Sequence, residues 1–188
     1  MTAFAMTVSW LRDVERMRPN EGGISLSLPF VEFEGTVLED EKPILALFLA
    51  GAEKIRLNTR PCCEACADMA AESFRRTESL SRLALRALPP DSARGAARIL
   101  LGALVSACQD YRTFIRTSPV PILPVPNQLG WDTELRLLCL NTVKTLSIHL
   151  TAVIGELKAL SGDADLPTRH YRPLPRWPED AYVVDDRR

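Results

Sequence analysis

The sequence predicts an all-α fold: a bundle of four to five helices with a small N-terminal β-hairpin or extended arm and a proline-rich C-terminal tail. Three observations predict it. Long segments carry apolar residues at the three-and-four spacing of a helix face. Strand-like alternation is confined to one short stretch, residues 24–38. Proline-rich punctuation, "PPD" at 89–91 and "SPVPILPVPN" at 118–127, separates the long segments and stops each helix.

Taken in order, residues 2–17 read as a first helix, with Phe4, Val8, Leu11 and Val14 at helical spacing and "RPNEGG" as its stop. In 24–38, Ile24, Leu26 and Leu28 alternate with serines. After Pro29, Val31 and Phe33 alternate with glutamates, which is the period of a strand pair. "EDEKP" opens the second helix, expected over 43–57, with a proline in its first turn and three acids near its positive end.

The third helix is expected over 61–88. Stepping about 100° per residue puts Cys62, Cys63, Cys66, Met69, Ala70, Phe74, Thr77, Leu80, Ala84 and Leu88 on one face. Glu64, Asp68, Glu72, Arg75, Arg82 and Arg86 fall on the other. Arg75, Arg82 and Arg86 with Glu72 and Glu78 read as a solvated face laced with ion pairs. Asp91 caps a fourth helix over 92–117, whose buried stripe runs from Ala93 through Leu100, Leu104, Cys108 and Tyr111 to Ile115. The alternating prolines of 118–127 make a stiff, extended connector.

The fifth helix, 132–160, carries its main stripe on Leu135, Leu138, Cys139, Thr142, Leu146, Leu150, Val153 and Leu157. Leu137, Leu140 and Ile148 lie on the other side, so this helix is central or supports an oligomer. Residues 1–162 are expected to form a single helical domain and 163–188 an extended tail, in which Trp177 docks on the bundle or on a partner.

Composition narrows the function classes. The chain has 188 residues, enough for one domain with a real core, and 23 basic residues against 24 acidic ones. That balance makes a nucleic-acid partner unexpected. The N-terminus lacks a basic leader and a cleavage site, which points to the cytoplasm. The most apolar run, 137–155, contains Lys144, His149, Asn141, threonines and a serine, and is expected to be a buried helix rather than a membrane span.

No phosphate-binding glycine loop, G-x-S-x-G elbow or H-E-x-x-H pair occurs, and the two histidines, His149 and His170, cannot furnish a di-iron bundle. His149, flanking the apolar stripe, reads as structural rather than as a phosphate acceptor. Glu39, Asp40 and Glu41 read as a cap and a solvated loop. These absences lean away from an enzyme.

The sharpest chemical signal is "RPCCEACADM". Cys63 and Cys66 form a C-x-x-C at a helix start, where the dipole and free N–H groups lower a thiol pKa. With Cys62 they would take zinc or another thiophilic metal. If the last three helices are antiparallel neighbours, Cys108 and Cys139 join them in one band. Against this, all five cysteines lie on apolar faces, where a thiol packs as a small hydrophobe, and no second ligand pair follows.

The leading expectation is a non-enzymatic protein-interaction domain without a cofactor: an adaptor, inhibitor, immunity-type or regulatory protein. It would meet a protein partner, a second copy among the candidates, through Leu137, Leu140, Ile148 and Trp177. The alternatives are a thiol-based redox or metal-binding bundle, and a bundle holding an apolar small molecule between alanine-lined helices.

Overall fold

The computed structural model describes residues 4–7, 24–28, 31–35, 37–57, 64–90, 95–117, 133–161 and 182–183; at 7 and within 24–28, 31–35, 64–67, 133–136 and 182–183 it describes the backbone alone. Four helices dominate: α1 (Lys42–Ala52), α2 (Glu64–Ala87), α3 (Ala96–Thr117) and α4 (Thr133–Ser161). The fold class is therefore all-α. Short extended pieces accompany the bundle: β1 (Met6–Thr7), β2 (Ile24–Leu28), β3 (Val31–Gly35) and β4 (Tyr182–Val183). β2 pairs antiparallel with β3, with Leu28 opposite Val31, and β1 pairs parallel with β4, with Met6 opposite Tyr182.

Side-chain partners give the helix directions. Gly51 abuts Leu80, and the Ser73 hydroxyl donates to the Arg56 carbonyl at 2.9 Å, so the segment carrying α1 runs antiparallel to α2. Arg98 reaches the Leu88 carbonyl while Arg112 reaches Glu78, so α2 and α3 are antiparallel. His149 meets the backbone of Ala103 while Cys139 lies beside Tyr111, so α3 and α4 are antiparallel too.

Close approach has a local cause where α1 meets α2. A Cβ at position 51 would stand 3.0 Å from a Leu80 methyl, tighter than carbon atoms ordinarily pack, so a larger residue here requires the Leu80 side chain to shift.

The core is an alanine and leucine interior. On α3, Ala96, Ala97, Leu100, Ala103, Leu104 and Ala107 are buried, and so are Ile99 and Leu101 outside the expected stripe. On α4, Leu146, Leu150, Val153 and Leu157 are buried as expected, and each large side chain contributes about 1.5–3 kcal/mol relative to exposure. Four of the hydroxyls that enter this interior are satisfied one turn back, while the buried Ser147 hydroxyl has no partner among the described residues. Thr77, Ser81, Thr142 and Thr151 each donate to the carbonyl four residues earlier, at 2.9, 2.8, 2.8 and 2.7 Å. That is how a helix carrying threonine and serine is buried without an open polar group at those sites.

One helix, Leu137–Ser161, is long and apolar enough to cross a membrane by length and composition, but 61% of its apolar window is buried inside the bundle. Its neighbours are α1, α2, α3 and β2. Among the described residues there is no set of several spans.

Four expectations need correction. Within 2–17, Met6 and Thr7 are strand and not helix, and Phe4 and Met6, two apart, are both buried, which is the strand period. The second helix ends at Ala52 and not at Leu57, closing in a turn whose Glu53 N–H returns to the Leu49 carbonyl and whose Lys54 N–H returns to the Gly51 carbonyl. Met69 is exposed and Glu78 is buried, the reverse of their expected sides. Glu41 is fully buried rather than solvated, its Oε2 accepting the Leu38 N–H at 2.9 Å.

Candidate functional site

A cleft among the described residues is a groove between α2 and α3, of about 310 Å³. Its floor is apolar: Ala71 and Phe74 from α2, and Cys108, Tyr111 and Ile115 from α3. These come from the inward rows of two antiparallel helices, whose spacing at i, i+3 and i+4 brings Phe74 against Tyr111. The two rings meet edge to face with centroids 5.0 Å apart. Phe4 also meets Tyr111, with centroids 6.2 Å apart, and Phe114 at 5.3 Å, so the N-terminal segment packs on the same ring.

The walls are charged. Arg75, Arg112 and Arg116 line the groove with a single carboxylate, Glu78. Glu78 Oε1 accepts from Arg82 Nε at 2.9 Å, from a terminal nitrogen of Arg82 at 2.8 Å, and from Arg112 on the opposite helix at 3.0 Å. One buried carboxylate thus holds two guanidiniums and ties α2 to α3. Arg75 pairs with Glu72 on the outer surface. Arg116 makes no ion pair among the described residues.

Cys108 and Tyr111 in the floor, and His149 behind it, stay neutral at ordinary pH. Burial pushes the Cys108 thiol well above its usual range, and the neighbouring Glu78 carboxylate pushes it further the same way. Burial also raises Tyr111, which remains a phenol, with Cys139 and Asp68 adding to the shift. His149 is buried between α3 and α4. Desolvation lowers its pKa to about 4, against a hydrogen bond to the backbone of Ala103 that acts in the opposite direction. It is a core side chain, with no access for a phosphate donor.

The residues singled out from sequence fall in different places. Cys62, Cys63 and Trp177 lie outside the described residues. Cys66 belongs to α2, and its backbone alone is described. Cys108 and Cys139 are buried thiols, not joined in a disulfide. Cys108 sits level with Glu78, and Cys139 beside Tyr111, about one turn away. The helix register puts Cys66 twelve residues before Glu78, about 18 Å along α2 from that level. The expected single band of sulfurs therefore divides. Among the described residues, no group of three or more His, Cys, Asp or Glu side chains is placed to hold a metal ion.

Leu137 is 54% exposed, Leu140 is half-buried and Ile148 is 5% exposed. The first two face outward from α4. Ile148, on the side away from the main stripe, is covered within the chain.

Sequence reasoning missed the groove. The available signal was the pair Arg112 and Arg116, four apart beside the α3 stripe, facing Arg75 across an antiparallel neighbour. No family model, curated protein or solved structure matches the chain.

Proposed function

We propose that the chain is a non-enzymatic protein-interaction domain, of the adaptor, inhibitor, immunity-type or regulatory kind. One observation carries this reading: large apolar side chains stand in solvent on the outer face of α1 and α2. Leu47 is 77% exposed and Leu83 65% exposed. Because Gly51 meets Leu80 and the helices are antiparallel, Leu47, one turn before Gly51, lies level with Leu83, one turn after Leu80. Two large exposed leucines at one level on adjacent helices are the apolar surface that supports this reading. The partner is a protein that covers this patch, and Leu137 with Leu140 on α4 offers a second contact suited to another copy of the chain.

The test is the pair Leu47→Glu and Leu83→Glu. Both side chains are exposed, so helicity and urea midpoint should stay at wild-type values. A partner captured by the wild-type chain should be lost by the pair, and light scattering should report whether that partner is a second copy. Capture that persists with both glutamates in place would refute the patch.

The thiol alternative at Cys62, Cys63 and Cys66 has its own readout. Zinc bound one to one, with rapid alkylation of Cys63 in the folded protein, would favour it over core packing.

A further inference from the structure

We infer that the groove between α2 and α3 binds a small amphiphile with an apolar chain and a carboxylate head, the chain on the Phe74, Cys108 and Tyr111 floor and the head against Arg116. This goes beyond the interaction surface on α1 and α2 and gives a chemistry and a location to the small-molecule alternative.

Three features of the groove argue for that occupant. Its volume, about 310 Å³, is at the small end of ligand pockets, the scale of a small guest. Its lining spans Cys108 to Arg116 on α3, eight residues or about 12 Å, so it takes an elongated guest. Its charge is unbalanced: three guanidiniums line it against one carboxylate, and that carboxylate is already committed to Arg82 and Arg112. Arg75 is already paired with Glu72, so the lining guanidinium with no ion pair among the described residues is Arg116. In the antiparallel register Arg116 stands toward the Ala71 end and Arg75 midway, while Glu78 and Cys108 occupy the other end. An anionic head therefore has one favourable end. A guanidinium presents paired N–H donors suited to the two oxygens of a carboxylate, and a partly dehydrated groove strengthens that contact.

No covalent step is involved. Cys108 is a neutral thiol in the floor and supplies packing only.

The probes are decanoate below its micelle concentration and decan-1-ol, each titrated into the full chain by calorimetry. Decanoate should bind saturably, one to one, and more tightly than decan-1-ol. Arg116→Gln should weaken decanoate about ten-fold, the scale of one charge-assisted hydrogen bond, and leave decan-1-ol unchanged. Ala71→Phe, at a half-buried wall position, should block both probes while circular dichroism stays helical. The inference is overturned if decanoate does not bind the wild-type chain. It also falls if decan-1-ol binds as tightly as decanoate, or if Arg116→Gln and folded Ala71→Phe both bind decanoate as the wild type does. Loss of decanoate binding leaves the α1 and α2 patch untouched, so the two proposals fail separately.

Discussion

Acidification should destabilise this protein through one buried side chain. His149 is enclosed between α3 and α4, and its pKa falls from the ordinary 6.5 to about 4 because burial disfavours the imidazolium. In the unfolded chain the imidazole takes up a proton as pH drops below 6.5. In the folded chain it does so only near pH 4. Between those values the unfolded state binds more protons, so stability falls with falling pH. The contribution is fully present above pH 6.5 and has been lost once pH passes below about 4. The shift corresponds to about 3 kcal/mol, with a steepest slope of about 1.4 kcal/mol per pH unit. His149 is wholly buried, so solvent screening does not reduce this figure much. The assay is urea unfolding followed by circular dichroism at several pH values from 7.5 to 4, on the wild type and on His149→Gln. The variant is neutral throughout and should start lower at pH 7.5, because the contact to the Ala103 backbone changes. Its stability should then decline less than the wild type's, the difference between the two curves shrinking by about 3 kcal/mol across the window. Carboxylates titrating in both proteins cancel in that difference. Parallel curves would refute the assignment.

Other expectations follow from the same packing. Arg82→Ala with Arg112→Ala strands the buried Glu78 carboxylate and should cost about 3 kcal/mol in urea unfolding, whereas Glu78→Leu should cost less, since both guanidiniums are partly in water and can rehydrate; equal costs would contradict a buried acceptor. Gly51→Val should destabilise by about 1–3 kcal/mol through collision with Leu80, while Gly102→Ala, with open space around it, should gain about 0.5–1 kcal/mol, both read from thermal midpoints. Cys108 should resist alkylation at neutral pH until denaturant is added, because burial keeps it protonated and out of reach. Fast reaction in the folded state would put that thiol in solvent.

The helical stripes were legible because burial here follows periodicity closely. On α3, alanine and leucine recur at three and four, and those positions are the ones enclosed. The errors on α2 are geometric. From Phe74, Glu78 lies only about 40° around the helix and Met69 about 140° the other way. Hydropathy assigned Met69 inward and Glu78 outward, but angle decided, and Glu78 is tolerated inside because two arginines satisfy it. On α4, Ile148 lies off the main stripe yet is buried, because α1, α2, α3 and β2 surround that helix. One chain segment cannot reveal how many neighbours will cover it. At 6–7 the strand pairing depends on residues 182–183, at the far end of the chain, where local periodicity carries no information. The groove was hidden for a similar reason: Arg75 and Arg116 are 41 positions apart, and only the antiparallel register brings them to one wall.

Tyr111 has a consequence that reaches past the groove. Its ring is shared: it meets Phe74 and also Phe4, which leans on Phe114 as well. A guest that favours one setting of that ring must alter how firmly the N-terminal segment is seated, and by linkage the seating of that segment must alter the guest's affinity by the same factor. The chain's beginning then acts as an effector held in place by its own covalent tether, present at high local concentration. Amide exchange at Met6, compared with and without decanoate, would read that reciprocity directly.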